Sequence, residues 1–347
     1  MRLAFRWFGA GDPIPLRNIR QIPGVESVVS ALYDVPVGEA WPVERVEQLK
    51  VDVEDAGLRL DVIESIPVHE DIKLGRPERT RWTEQYCASI SALGAAGIPV
   101  LCYNFMPVFD WVRTDLNMRL PDGSTALAYD DAQLAAIDLR NGTRDLPGWA
   151  ASYSGDELAA LTNAYRDVDD EKLWDNLAWF IEQIVPAAEA ANVKLAIHPD
   201  DPPWSVFGLP RILTSGAALT RFIELNDSPV HGVTFCTGSL APTSAQELPK
   251  YAAELAARGR IHFAHCRNVK ITGPRSFHEV AHPAANGDVD MPAVLRALHA
   301  HGFTGPMRPD HGRRIWGEEG RPGYGLYDRA LGAVYLKGVW EALEANA

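Results

Sequence analysis

Residues 193–200 read VKLAIHPD, a short apolar and β-branched run that ends in a histidine. Three later segments repeat this arrangement: GVTFCTG at 232–238, IHFAHCRN at 261–268 and GPMRPDHGR at 305–313. Four earlier runs also have the composition of strands, at 3–7, 26–30, 59–65 and 99–104. Amphipathic segments typical of helices lie between the strands, for example at 42–56, 77–96 and 171–191. Eight strand–helix units in series predict an α/β fold with a parallel sheet.

The number of units favours a closed (β/α)8 TIM barrel over a large doubly wound sheet. A dinucleotide-binding sheet would carry a GxGxxG sequence after its first strand, whereas Gly9-Ala10-Gly11 continues as Asp-Pro. The chain has 347 residues, which exceeds the usual size of one domain, but α/β barrels reach this length as single units. We therefore predict one TIM-barrel domain over residues 1–347.

One connection is unusually long. Residues 105–170, after the fourth strand, are rich in Asp, Pro, Gly and aromatic residues and include DWVRTDL at 110–116 and LPGWAASYSGDE at 146–157. An insertion at the carboxyl end of a barrel strand lies over the mouth of the active site. We expect this insertion to form a lid or to bind substrate; a contact between subunits is the alternative.

The composition argues against several classes of protein. The net charge is −13 and no Lys/Arg-rich run occurs, so a nucleic-acid partner is not expected. No stretch of about 18 apolar residues suggests a membrane span, and the apolar N-terminus is too short for a signal peptide, so we expect a cytoplasmic protein. The four cysteines form no CxxC pair and are expected to be free thiols or metal ligands.

Four neighbouring strands end in side chains that can bind a metal: His198, Cys236, His265 and Asp310. The carboxyl ends of barrel strands share one rim, where the active sites of such barrels lie. Each residue alone has a structural explanation, but their joint placement predicts a divalent metal site. His262 lies three residues before His265 and would face the other side of its strand.

The predicted ligand set also limits which metal ions are expected. A shell of imidazole, thiolate and carboxylate suits Zn²⁺, Fe²⁺ or Mn²⁺ better than Mg²⁺. A metal that also chelates a hydroxy acid must have a coordination number above four. Mn²⁺ or Fe²⁺ does so more readily than structural Zn²⁺.

Further polar residues near the strand ends are candidates for proton transfer and substrate binding. His311 follows Asp310 and could be a general base or acid, or only a hydrogen-bond partner of a metal ligand. In the loop PGYGLY at 322–327, the flanking glycines favour Tyr324 as the catalytic tyrosine over Tyr327, which leads into the last helix. The candidates for binding a substrate carboxylate or hydroxyl are Arg308, Arg313, Asn104, His69 and Arg6.

Several longer segments resemble one known family. These are FRWFG at 5–9, VPVGEAWP at 35–42, VIESIPVHEDIK at 62–73, CYNFMPVFDWVRTDL at 102–116, FAHCRNVK at 263–270 and MRPDHGR at 307–313. They are similar to mannonate dehydratases of the UxuA type, and the similarity covers nearly the whole chain. Phe8 departs from the pattern, since many members carry tyrosine there.

The resemblance implies a barrel akin to xylose isomerase and dependence on Mn²⁺ or Fe²⁺. It implies loss of water from D-mannonate to give 2-dehydro-3-deoxy-D-gluconate in hexuronate (glucuronate) catabolism. The family's ligands match His198, Cys236, His265 and Asp310, and its catalytic His and Tyr match His311 and, less closely, Tyr324. A homodimer or larger homo-oligomer is also expected from the family.

The implied chemistry is consistent with these residues. A divalent cation bound to the substrate carboxylate and C2 hydroxyl would stabilise the charge formed when the C2 proton leaves. We expect His311 to be the base and Tyr324 the acid for the C3 hydroxyl, although the two roles could be exchanged. A metal-dependent sugar isomerase or epimerase and a non-catalytic sugar-acid binding protein are the alternative functions.

Overall fold

The computed structural model describes residues 1–137 and 155–346. The strands in these ranges are β1 (Arg2–Arg6), β2 (Val25–Ser30), β3 (Arg59–Glu64), β4 (Val100–Tyr103), β5 (Asp115–Arg119), β6 (Thr125–Asp130), β7 (Lys194–Ile197), β8 (His231–Cys236), β9 (Ile261–His265), β10 (Asn268–Gly273), β11 (Ser276–Val280) and β12 (Pro306–Arg308).

The helices are α1 (Leu16–Ile19), α2 (Val43–Asp55), α3 (Glu70–Lys73), α4 (Arg79–Ala95), α5 (Asp131–Ala135), α6 (Gly155–Ala164), α7 (Asp170–Ala191), α8 (Gly216–Ile223), α9 (Thr237–Ser244), α10 (Leu248–Ala257), α11 (Met291–Ala300) and α12 (Tyr327–Ala345). None of these helices is long and apolar enough to span a membrane.

Eight parallel strands form a closed barrel in the order β1-β12-β9-β8-β7-β4-β3-β2. These are the eight strands expected from the sequence, and their ends agree with the expected ends to within about one residue. The predicted TIM barrel is therefore confirmed, and the doubly wound alternative is wrong because β1 pairs with both β2 and β12.

Small and β-branched side chains fill the inside of the barrel, and helices cover its outside. The inner cluster consists of Ala4, Val29, Val62, Val100, Cys102, Ala196 and Phe263. Side chains of a strand alternate between its two faces, so Phe263 shares the inner face with His265. Their rings are 4.5 Å apart. His265 thus faces the barrel axis, as the sequence predicted.

The helices follow the apolar patterns of the sequence. α2 buries Val46, Leu49 and Val53. α7 begins after Asp169, whose side chain accepts a hydrogen bond from Lys172 N, and it continues through Pro186. Asp290 caps α11 by accepting a hydrogen bond from Ala293 N at 3.0 Å.

A second, antiparallel sheet of four strands, in the order β10-β11-β6-β5, was not expected from the sequence. β5 and β6 belong to the long connection after β4, whereas β10 and β11 follow barrel strand β9. A bridge between Thr125 and Arg314 joins this sheet to the loop after β12. Residues 138–154, with most of LPGWAASYSGDE, lie outside the described residues. The sheet places polar side chains from the long connection beside the rim of the barrel.

Candidate metal centre and acid–base pair

The four predicted metal ligands come together at the carboxyl end of the barrel. His198 Nε2 is 3.2 Å from His265 Nδ1, and Asp310 Oδ1 is 3.6 Å from the same His265 nitrogen. Cys236 Sγ is 3.7 Å from Asp310 Oδ2. Metal–ligand bonds of about 2.0–2.3 Å place ligand atoms roughly 3–4 Å apart. His198, Cys236 and His265 offer ligand atoms that all lie within 4.8 Å of one another, a spacing that suits a divalent cation, and Asp310 lies next to Cys236 and His265.

Hydrogen bonds orient two of these ligands. His198 Nδ1 lies 2.7 Å from the carbonyl oxygen of Pro199, which can only accept, so Nδ1 carries the hydrogen and Nε2 is left with its lone pair. Ser239 Oγ donates to Cys236 Sγ at 3.0 Å. Outer hydrogen bonds of this kind fix the direction of metal ligands.

Asp310 occupies an unusual backbone conformation among positive charges. Its φ is +61°, a region that aspartate tolerates better than most residues. Arg308 Nη2 lies 2.8 Å from Oδ1, and Arg267 Nε lies 3.3 Å from Oδ2. Burial alone would raise the pKa of Asp310, but Arg308, His311, His265 and Arg267 hold it well below its usual value. Asp310 is therefore an ionised carboxylate at neutral pH, as a metal ligand must be.

His311 and Tyr324 form a hydrogen-bonded pair next to this cluster. Tyr324 Oη lies 2.9 Å from His311 Nε2, and both side chains are almost fully buried. Burial raises the pKa of the Tyr324 phenol well above its ordinary value, despite the nearby charge of Arg308. Tyr324 consequently keeps its proton at neutral pH.

A cavity of about 490 Å³ opens over these groups. The predicted residues that line it are His198, Asp310, His311, Tyr324, Arg308, Arg6 and Asn104. Glu64 also lines it and joins both arginines, with distances of 3.0 Å to Arg6 Nη1 and 2.9 Å to Arg308 Nη2. The cavity thus combines candidate metal ligands, a candidate acid–base pair and the side chains of three arginines, Arg6, Arg308 and Arg321.

Two predicted substrate-binding residues do not line this cavity. Arg313 forms ion pairs with Asp328 and Asp122, at 2.8 and 2.9 Å. His69 stacks on Trp82 with ring centroids 4.1 Å apart and caps α3. Both residues follow strand ends in the sequence, but the side chain of each is held by a partner outside the cavity.

Some residues of the site were missed from the sequence. Arg113, Asp201, Arg267 and Glu279 form a buried network of ion pairs directly behind His311. Arg113 and Asp201 lie on loops and Glu279 on the second sheet, so strand ends gave no signal for them. Arg267 falls within the quoted segment IHFAHCRN, two residues beyond the predicted ligand His265.

The whole chain, residues 1–347, matches the family model described as D-mannonate dehydratase (UxuA). This chain belongs to the D-mannonate dehydratase family. It is 54% identical to mannonate dehydratase 2 of Halalkalibacterium halodurans over 345 residues, which cover 99% of this chain and 100% of that protein. It is also 54% identical to the mannonate dehydratase of Streptococcus agalactiae serotype III, over 99% of both chains.

Solved structures agree with this family assignment. The crystal structure of mannonate dehydratase from Streptococcus suis serotype 2 superposes with a TM-score of 0.93 at 49% identity, covering 100% of this chain and 95% of that one. A xylose isomerase domain protein from Planctomyces limnophilus shares the fold at a TM-score of 0.56 and 14% identity. D-mannonate dehydratases are metal-dependent hydro-lyases that act on a small sugar acid in hexuronate catabolism. The family expected from the sequence is therefore confirmed.

Proposed function

We propose that this chain dehydrates D-mannonate to 2-dehydro-3-deoxy-D-gluconate, with His311 as the base and Tyr324 as the acid. The observation that carries this assignment is the 2.9 Å hydrogen bond between Tyr324 Oη and His311 Nε2 at the wall of the cavity. The pair lies beside the four candidate metal ligands, so proton transfer and metal binding share one site.

We propose His198, Cys236, His265 and Asp310 as the residues that hold the metal, and Mn²⁺ or Fe²⁺ as the metal. Their donor set of two imidazoles, one thiolate and one carboxylate suits these ions better than Mg²⁺. When bound, the cation would supply Lewis-acid stabilisation of negative charge on the substrate.

The acid–base pair accounts for the protons that move during the elimination of water. His311 Nε2 takes the C2 proton while the C2–H electron pair forms the C2–C3 double bond and the C3–O bond breaks. Tyr324 gives its proton to the departing hydroxyl, which leaves as water. The hydrogen bond between the two side chains then returns the proton from His311 to Tyr324. The enol product becomes the 2-keto acid by losing the proton of its C2 hydroxyl to solvent and taking up a proton from solvent at C3.

Arg6, Arg308 and Asn104 are proposed to bind the sugar acid. Arg6 and Arg308 line the cavity, where both form ion pairs with Glu64 at 3.0 and 2.9 Å. Charged donors of this kind suit a carboxylate. Asn104 lines the same cavity and donates to Asp110 Oδ1 at 3.2 Å.

Incubation of the purified protein with D-mannonate and Mn²⁺ tests the proposed reaction. We expect a 2-keto-3-deoxy acid to form and the rate to fall to background after chelation of the metal. An isomerase or epimerase would give a product of unchanged mass, whereas dehydration lowers the mass by one water. Binding of D-mannonate without a product would favour a sugar-acid binding protein instead.

The assembly and the compartment are proposals as well. We propose a homodimer or larger homo-oligomer in the cytoplasm, based on the family and on free cysteines at Cys87, Cys102, Cys236 and Cys266. Light scattering on the purified protein gives the number of subunits, and a mass of one chain would contradict the proposed oligomer.

A further inference from the structure

Glu279 touches His311 on the side away from Tyr324. It lies on β11 of the second sheet and is 1% exposed. Its Oε1 atom is 2.9 Å from His311 Nδ1. Glu279 does not line the cavity, so it cannot contact substrate directly. Any effect on the reaction must therefore pass through His311 or through the residues around it.

The carboxyl group of Glu279 is held in its ionised form. Arg113 Nη2 and Arg267 Nη1 lie 2.9 and 2.7 Å from Oε1. Burial alone would raise the pKa of Glu279, but protonated His311 and these two arginines lower it to about 2, and the two arginines keep their charge when His311 is neutral. At neutral pH the carboxylate can only accept hydrogen bonds.

This charge decides which nitrogen of the neutral His311 ring carries the hydrogen. A lone pair on Nδ1 would face the carboxylate oxygen at 2.9 Å and be repelled by it, whereas an N–H group would donate to it. Arg267 Nη1 also lies 2.8 Å from Nδ1, and it could donate to a lone pair there. Arg267 Nη1 carries two hydrogens and lies 2.7 Å from Glu279 Oε1, and its bond to that oxygen is charge-assisted and stronger than a bond to a neutral ring nitrogen. The carboxylate is then the acceptor for both Arg267 Nη1 and an N–H group on His311 Nδ1.

We propose that Glu279 is a positioning residue that holds neutral His311 with its hydrogen on Nδ1. The lone pair of His311 then lies on Nε2, the nitrogen that faces Tyr324 Oη and that must accept the C2 proton. As His311 gains that proton, the carboxylate stabilises the imidazolium. The inference rests on the proposed role of His311 as the base.

Because Glu279 lies on β11, the second sheet contributes to the site. β11 pairs with β6 of the long connection and with β10, which leads out of barrel strand β9. Arg113, from the same long connection, is fully buried and joins Glu279 to Asp201. The sheet thus fixes the position of the carboxylate against His311 from outside the barrel.

The replacement Glu279→Gln tests this role, with Glu70→Gln as the matched control. Glu70 is also a buried carboxylate bound to a cation, Lys73 at 2.6 Å, but it does not line the main cavity. We expect kcat of the Glu279→Gln holoenzyme to fall about 100-fold, since a positioned base contributes about 10²–10⁴-fold. KM for D-mannonate and the metal content should stay near those of the wild type.

A kcat no lower in Glu279→Gln than in Glu70→Gln would overturn the proposal, and so would a parallel loss of metal. A measurement on the unmodified protein covers the case in which Glu279→Gln fails to fold. ¹⁵N NMR of the Zn²⁺-loaded holoenzyme, with His311 assigned from the His311→Asn variant, should show the hydrogen on Nδ1. A hydrogen on Nε2 would reject the proposed positioning. Absence of turnover in the wild type would instead reject the proposed function and leave this measurement valid.

Discussion

Tyr324 and Tyr327 lie three residues apart, yet only Tyr324 is placed for proton transfer. The Tyr324 hydroxyl is 2.9 Å from His311 Nε2, whereas Tyr327 begins α12, is 43% exposed and lies against Trp316. Glycine residues on both sides of Tyr324 suggested this choice from the sequence. Gly323 has a φ of +78°, so the turn before the tyrosine uses the conformational freedom of glycine.

Replacing Tyr324 with phenylalanine should remove the acid without disturbing the metal site. We expect kcat to fall about 100-fold, within the usual range for loss of a general acid. The measurement is the initial rate of 2-keto-3-deoxy acid formation. Tyr327→Phe is the control and should keep the wild-type rate; equal losses in both variants would contradict the assignment.

His311→Asn separates the roles of base and ligand. We expect turnover to disappear while the metal content, measured by mass spectrometry of the metal, stays near that of the wild type. His311 Nε2 is 3.9 Å from Asp310 Oδ1 but points to Tyr324, which is why it is not assigned as a ligand. Loss of the metal from this variant would show that His311 belongs to the ligand shell.

At the scale of single residues, the sequence predicted the groups that end barrel strands and missed the groups behind them. His198, Cys236 and His265 follow from the alternation of a strand and the common rim of a barrel. Glu279 and Arg113 do not, because their approach to His311 depends on pairing between segments that are far apart in the chain.

The packing of α4 on α7 depends on one small residue. A Cβ atom added to Gly94 would lie 2.5 Å from the carbonyl oxygen of Ala191 and 2.7 Å from its Cβ atom. The two helices therefore approach so closely that an alanine at position 94 would force them apart. Backbone atoms cannot yield as the end of a flexible side chain can.

Gly94→Ala should lower the free energy of unfolding by about 1–3 kcal/mol, as overpacking of a core does. Gly338→Ala is the matched control, because Gly338 is also helical, in α12, and a Cβ atom there would meet no atom within 4 Å. We expect that control to be neutral or to gain up to about 1 kcal/mol. Urea denaturation of both variants gives the comparison, and a stable Gly94→Ala protein would contradict the close approach.

At the scale of elements, the sequence predicted the barrel but not the second sheet. The barrel strands are continuous apolar runs because both of their faces are buried. β5 is only partly buried, with the sequence DLNMR, and cannot be distinguished from a loop by its pattern. Its pairing with β6, and that of β6 with β11, involves long-range contacts that local sequence does not encode.

At the scale of the whole molecule, Glu64, Asp201, Asp310 and Glu279 are carboxylates that lie among arginines and histidines near the rim. Interactions with Arg308, His265 and Arg6 hold the pKa of Glu64 well below its usual value, although burial opposes this. The pKa values of Asp201 and Asp310 are also lowered by neighbouring positive charges. The pKa of Glu279 is lowered to about 2. Each group binds protons more weakly in the folded protein than in the unfolded chain, so acid favours unfolding.

We therefore expect the melting temperature to fall steeply in acid. The contribution of Glu279 is fully present above its unfolded pKa of about 4.3 and is lost as the pH falls from there to about 2. Thermal melts between about pH 6 and pH 3 measure this loss. Glu279→Gln should lose less stability over the same range than the wild type, and equal slopes for the two proteins would contradict the prediction.

The proposed metal ligands come from four separate parts of the barrel, between residues 198 and 310, so a bound cation would tie these parts together. Its binding should then increase the free energy of unfolding of the whole molecule. At a free metal concentration of 100 times Kd we expect about 2.7 kcal/mol of added stability. Cys236→Ser should lose most of this gain, because a hydroxyl replaces the thiolate ligand. Cys87→Ser, in α4 and distant in sequence from the ligands, should keep it. Melts with and without Mn²⁺ decide between these outcomes, and an equal gain in both variants would remove Cys236 from the ligand set.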